Sequence, residues 1–248
     1  MLTTILLDLD GTLLTMSQDD FIGSYFKLLT ARLDLLGFKP RAVIDTLWKG
    51  TAAMVQNDGT RPNSARFWDR FAADFGLDAT QIAEVRLQCD DFYGREFHEV
   101  GALNAPTGDA PARAVRTLKA KGYRVALATN PIFPAVALDT RLSWIGLKPS
   151  DFALCTHYGN IGYCKPNLEY YREVCRRLGV QPQQCMMVGN SIREDMCAAT
   201  LGMETYLVTG YIEGEGDLTA FPHRGSIGDF ADFVAAMPDI NSDAARRE

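Results

Sequence analysis

After Gly101 the chain alternates short apolar runs with amphipathic stretches, and this rhythm restricts its fold more than any other feature. Residues 123–129, 151–155, 184–188 and 204–208 have the length and the Val, Leu, Met and Tyr content of strands. Helical patterns occupy 134–146, 167–178 and 192–201, and another runs from Asp109 and Pro111 to about Lys121, closed by Gly122. Strands alternating with helices predict βαβ units, a parallel sheet and right-handed crossovers. A further strand is expected over residues 3–9. The stretch between is helical only. Ser17 can cap a helix in which Phe21, Ile22, Tyr25, Leu28, Leu29, Leu33 and Leu36 recur with a 3.6-residue period. Pro40 opens a second helix to about Gln56, a third follows Asn63 and Ser64 to Phe75, and a fourth spans about 80–97. The expected class is α/β: a three-layer core with a central parallel sheet from residues 1–15 and 101–248, interrupted by an inserted helical domain over 16–100. The last eight or so residues are expected to fray.

The first apolar run, Ile5-Leu6-Leu7, closes on Asp8-Leu9-Asp10-Gly11-Thr12. Side chains at i and i+2 leave a strand on the same side, so both carboxylates can face one pocket. Two such charges together are costly unless a metal, a lysine or a proton offsets them. Ligands of open parallel sheets bind beyond the carboxyl ends of the strands. Asp8 and Asp10, Thr129-Asn130, Lys165 and Gly189-Asn190-Ser191 all fall at or just after such ends. Separate segments thus bring polar groups to one rim.

Composition narrows the partners. A formal net charge of −6 over 248 residues argues against nucleic acid, whose phosphates call for basic patches. No apolar stretch approaches the ~18 residues that cross a bilayer, so no membrane partner is expected. Asp8 and Asp10 interrupt any leader-like segment, and a cytoplasmic location is expected. The six cysteines form no CxxC pair and read as free thiols. Nothing in the sequence separates a monomer from a homodimer.

The set Asp8-Leu9-Asp10-Gly11-Thr12, Thr129-Asn130, Lys165-Pro166 and Gly189-Asn190-Ser191 with Asp195 resembles the haloacid dehalogenase superfamily of phosphohydrolases, motif for motif and in order. The resemblance covers the whole α/β core, implying a Rossmann-like fold, and the helical stretch resembles that family's first type of cap. It implies an Mg²⁺-dependent phosphatase of small phosphorylated metabolites. Asp8 would be the nucleophile, forming an aspartyl-phosphate, and Asp10 the general acid and base. Thr129 and Asn130 would hold the phosphoryl oxygens, and Lys165 would neutralise charge on Asp8 and the phosphate. The metal ligands implied are Asp8, the Asp10 backbone carbonyl and the acidic motif at 190–195. Here the chain departs from the pattern: Asn190 stands where the family usually has Asp. An amide oxygen can still ligate Mg²⁺, with Asp195 left for its water shell or for Lys165, and weaker Mg²⁺ binding is expected.

Arg61, in the polar turn Asn57–Asn63, is a candidate to close over the pocket and touch the leaving group. Trp48, Trp68 and Trp144 read as packing residues. The competing functions are a phosphomutase, a phosphonate-cleaving relative needing a cap lysine, and a non-catalytic binding module on the same fold. Asp10 argues against a dehalogenase, which normally lacks it.

Overall fold

The computed structural model describes residues 1–103 and 108–241. Five parallel strands form one sheet in the order β2-β1-β3-β4-β5. They are β1 (Thr4–Leu7), β2 (Arg124–Leu127), β3 (Cys185–Gly189), β4 (Glu204–Val208) and β5 (Arg224–Gly225). β1 lies between β2 and β3 in register, Leu7 opposite Leu127 on one side and Val188 on the other. The three strands that carry the carboxylates, the Thr129 motif and the Asn190 motif therefore end side by side.

Burial on both faces explains why β1 is wholly apolar apart from Thr4, and fully buried. Alternation sends Ile5 and Leu7 to one layer with Val125, Leu127, Met186 and Val188. Leu6 points the other way, joining Ala126, Met187, Tyr170, Tyr171 and Val174. The first layer contains α6 (Ala110–Ala120) and α9 (Ile227–Ala236), and the second contains α8 (Leu168–Leu178). This is the three-layer α/β arrangement the alternation predicts.

Five helices lie between β1 and α6: α1 (Gln18–Asp34), α2 (Pro40–Val55), α3 (Asn63–Phe75), α4 (Ala79–Gly94) and α5 (His98–Leu103). Ser17 caps α1 by accepting the Asp20 N–H, and Gly76 closes α3 in the left-handed region. Where α4 begins, Asp78 and Gln81 form a capping box, which moves its start slightly upstream of the expected residue 80. Between β2 and β3 the chain forms α7 (Ala135–Ser143) and then α8.

Three elements differ from expectation. Residues 151–155 form no regular strand: the chain runs beside β2 with bonds from Ala153 to Val125 and between Leu127 and Leu154, but makes only a one-residue bridge at Cys155. A 3-10 turn at Pro149–Asp151 takes up its first residue. Residues 192–201 form a turn and then a 3-10 helix at Met196–Leu201 rather than an α-helix. There the Asp195 carboxylate accepts the Ser191 N–H, a side-chain bond that competes with helical pairing. The third difference is β5 and α9, which the strand–helix pattern of the sequence did not announce. The expected fraying at the C-terminus falls outside the described residues, apart from Asn241. The six cysteines are free. No helix among the described residues is long and apolar enough to cross a membrane.

The helical segment is tied to the core just upstream of Lys165. The Asn63 backbone N–H donates to Ile161 O and that of Ser64 to Tyr158 O. Asn63, wholly buried, donates from Nδ2 to Pro131 O at 3.1 Å and accepts from Asn57 Nδ2 at 2.8 Å. Asn63→Ala strands these buried partners. It is expected to lower the unfolding free energy by about 1–3 kcal/mol, read as a lower urea midpoint with an unchanged slope.

Candidate active site

Asp8, one residue past β1, continues the sheet bonding by donating its N–H to Val188 O at 2.9 Å. Gly11 then turns the chain with φ +70°, and a Cβ there would sit 2.2 Å from Asn190 Nδ2. Both the conformation and the close approach require glycine. Gly189 is constrained in a similar way, since a Cβ would meet Asp195 Oδ2 at 2.1 Å. The glycines of the two motifs let their polar side chains come together.

Lys165 is 1 % exposed and stands between two carboxylates, Nζ donating to Asp8 Oδ1 at 2.9 Å and to Asp195 Oδ1 at 2.6 Å. Burial alone would push its ammonium down, yet Asp195 and Asp8 outweigh that and hold it well above the usual lysine range. Asp8 is pushed up to about 8. Burial is the main cause, opposed by Lys165 and reinforced by Asp195 and Asp10. The two shifts pull the pair in opposite senses. The direction that geometry supports is a charged lysine, because two carboxylates contact it.

Asp10 is met by a residue the sequence reading did not single out. Arg141 of α7, 1 % exposed, donates from Nη1 to Asp10 Oδ1 and Oδ2 at 2.9 and 2.8 Å. Its guanidinium lies over Phe133 at 4.4 Å, and its buried Nε has no hydrogen-bond partner. A signal was present: position 141 falls on the stripe of Leu138 and Leu142, so a full charge interrupts the buried face of α7.

The other expected residues are distributed as follows. Thr129 is buried, and its carbonyl is held by Thr156 Oγ1 at 2.7 Å and Tyr170 OH at 2.9 Å. Asn130 donates to Glu194 Oε2 at 3.0 Å and accepts the Lys165 N–H at 3.3 Å. Asn190 Oδ1 and Asp8 Oδ2 each lie 3.2 Å from Thr12 Oγ1, and Asn190 Nδ2 donates to Tyr211 O. Of the two places open to Asp195, the geometry has it at Lys165: one oxygen takes the ammonium, the other the Ser191 N–H. It therefore stands as the lysine's anchor. Arg61 also differs from expectation. Its side chain is half exposed and bonded to Asp69 at 2.7 Å on α3, because the turn docks on the core through Asn57 and Asn63 and leaves Arg61 outside. It is not brought to the carboxylates.

Charge at the rim is strongly unbalanced. Glu213, which the sequence reading passed over, is pushed up to about 7 by burial and by Glu194, Asp195 and Asp10. Glu194 is raised too, by burial first and then by Asp195 against the pull of Lys165. Asp8, Asp10, Glu194, Asp195 and Glu213 thus gather around Lys165 and Arg141, with Arg193 acting on Glu194 as well. Among the described residues no three Asp, Glu, His or Cys side chains converge tightly enough to hold a metal alone. A set of one carboxylate, one backbone carbonyl and one amide needs no such trio. Its hard oxygens beside excess negative charge fit a partly hydrated divalent cation.

A family model described as haloacid dehalogenase-like hydrolase matches residues 2–200. The chain belongs to that family. It is therefore an enzyme of the hydrolase class. A glyceraldehyde 3-phosphate phosphatase of Methanothermobacter thermautotrophicus is 34 % identical over 102 residues, 40 % of this chain and 44 % of that relative. The pyrophosphatase PpaX of Bacillus mycoides is 21 % identical over 246 residues, 97 % of this chain and 99 % of that protein. Among solved structures, a 2-haloacid dehalogenase from Pseudomonas syringae pv. Tomato DC3000 superposes with TM-score 0.63 at 19 % identity, covering 95 % of this chain and 99 % of its own. A HAD phosphatase from Thermococcus onnurineus gives 0.60 at 16 % identity, covering 96 % and 100 %. At such identities the superpositions speak for the fold.

Removing the lysine tests the electrostatics. Lys165→Met leaves Asp8 and Asp195 buried without their cation, which is expected to cost about 3–5 kcal/mol near neutral pH. The stranded carboxyls retain protons in the native state, whereas the unfolded chain releases them near pH 4. The native state then binds more protons, so stability falls as pH rises. Urea titrations should show the variant closest to wild type at about pH 4.5 and progressively weaker up to pH 8.

Proposed function

We propose that this hydrolase is an Mg²⁺-dependent phosphatase of small phosphorylated compounds, working through an aspartyl-phosphate on Asp8. The observation that carries the reading is the buried Asp8–Lys165–Asp195 bridge with Asp10 two residues on, held by Arg141. An Asp8 oxygen would attack phosphorus while the P–O bond to the leaving group breaks, and Asp10 would pass its proton to the departing oxygen. Water would then attack the phosphorus of the acyl phosphate and lose a proton to Asp10, releasing inorganic phosphate and restoring the Asp8 carboxylate.

The remaining residues would act on charge and position. Lys165 would offset the negative charge gathering on Asp8 and the transferring group, and Asp195 would keep the ammonium aimed there. Thr129 and Asn130 would receive the phosphoryl oxygens. Arg141 would be a positioning residue for Asp10. A bound Mg²⁺ would be held by Asp8, the Asp10 carbonyl and Asn190, and would supply neutralisation of the phosphoryl charge. The helices over 16–100 would form a cap that limits water and selects the leaving group. Arg61, engaged by Asp69, has no part in this scheme. Phosphatase and mutase share these steps and differ in whether water or a second substrate accepts the phosphoryl group, so product analysis belongs in the same assay.

The test is phosphate release from a set of phosphomonoesters, with Mg²⁺ and with chelator. Asp8→Asn is expected to lower kcat by at least about 10³-fold, with a fluoroberyllate adduct forming on wild type and not on the variant. Turnover that survives both the substitution and the chelator would end this reading. Asn190→Asp is expected to lower the Mg²⁺ concentration for half-maximal activity by about ten-fold, because a carboxylate replaces a neutral amide.

A further inference from the structure

The helices α1, α2, α3 and α4 do not close on themselves. Together with the core segment Ile132–Pro134 they line a cavity of about 110 Å³ that opens to the surface. A space of that order, open on one side, takes an apolar group of about benzene's size. Asp10 lines one end. The rest of the wall is aromatic and aliphatic, with Phe21, Tyr25, Phe67, Phe71, Tyr93 and Phe133 among its rings. At the mouth stands Trp48, a large side chain 52 % exposed and set edge-on to Phe26 at 5.5 Å. Trp48 and Trp68, which read as packing residues in the sequence, both belong to this wall.

The polar atoms of the wall are mostly engaged with one another. The Tyr25 and Tyr93 hydroxyls bond each other at 2.6 Å, and Trp68 Nε1 donates to the Tyr158 hydroxyl at 3.3 Å. Beyond Gln18 and Thr51 the wall offers a polyol few partners, and hydroxyls buried without one are penalised. Asp10 is the only charged residue among the described lining residues, and no lysine, arginine or histidine lines the space. A second phosphate or a carboxylate on the leaving group would face the Asp10 carboxylate, and the adjacent Arg141 guanidinium is already taken up by both oxygens of that carboxylate. An apolar group, by contrast, gains from every methylene it buries.

We infer that this cavity receives the leaving group and that the substrates are phosphomonoesters of apolar alcohols or phenols, rather than sugar phosphates, bisphosphates or pyrophosphate. The assignment rests on the phosphatase reading and deepens it. It places Asp10 at the junction where the leaving oxygen emerges from the aromatic chamber. The proton from Asp10 would then be delivered where bulk water is scarce. It also sets this chain apart from relatives named for glyceraldehyde 3-phosphate and pyrophosphate.

Alkyl esters test the idea without the bias of a good leaving group. With wild type and Mg²⁺, kcat/KM for n-hexyl phosphate should exceed that for glycerol 3-phosphate by about 100-fold, rising about three-fold per methylene from propyl to hexyl. The alcohol 1-naphthol should quench tryptophan emission and compete with hexyl phosphate. Thr51→Trp, which fills the mouth, should remove both the chain-length trend and the quenching. Should that variant fail to fold, Trp48→Ala on the exposed rim should raise KM for hexyl phosphate several-fold. Equal or better turnover of glycerol 3-phosphate, glucose 6-phosphate or pyrophosphate, with no chain-length trend, would overturn the substrate assignment and leave the phosphatase reading standing. Naphthol binding with no phosphate released from any ester would overturn the phosphatase reading, and the substrate assignment with it.

Discussion

The ammonium of Lys165 between Asp8 and Asp195 is the interaction on which this site depends. Without a cation at that point, two buried carboxylates a few ångströms apart would repel and take up protons. With it, Asp8 is held at the sheet rim in a defined orientation, and Asp195 draws the 190–195 turn inward. The bridge joins residues 157 and 30 positions apart along the chain, so it forms only when the strands have assembled. Lys165 itself is steadied by the Tyr170 ring at 5.9 Å and, through its backbone, by Asn130.

A second ion pair divides the labour between the two aspartates. Asp8 faces a shared lysine in a nearly closed space, whereas Asp10 is more open, its side chain 30 % exposed, and has the Arg141 guanidinium to itself. Two carboxylates of identical chemistry are thus given different surroundings by a two-residue step off one strand. Under the proposed mechanism, that separation would suit one group to attack and the other to move protons. The surplus of carboxylates around Asn190 keeps the rim attractive to a divalent cation, although the position that would contribute the strongest ligand is an amide.

The helical segment supplies what the sheet rim lacks. The rim is polar and charged, and the chamber above it is apolar and ringed by aromatics. Asp10 belongs to both. Asn63 and Ser64 pin the segment to the loop 158–164, which leads directly into Lys165, so the chamber and the charged rim are held by adjoining stretches of chain.

The division between legible and illegible features follows the range of the forces involved. Local periodicity and strand-end chemistry marked β1, α1, α8 and the rim set Asp8, Asp10, Thr129, Lys165 and Asn190, because each is written within a few neighbouring residues. Residues 192–201 and 151–155 escaped that logic. Their backbone form is decided by partners outside the local pattern: Asp195 is drawn to Lys165, thirty residues away, and the segment at Cys155 to β2. Arg141 and Glu213 reach the site through packing, Arg61 is drawn away by Asp69, and the shape of the aromatic chamber depends on how four helices meet. The sequence by itself determined which chemistry the sheet rim can hold. Only the tertiary structure decided which charges pair there and what kind of molecule the space above admits, since pairing and cavity shape are properties of residues far apart in the chain.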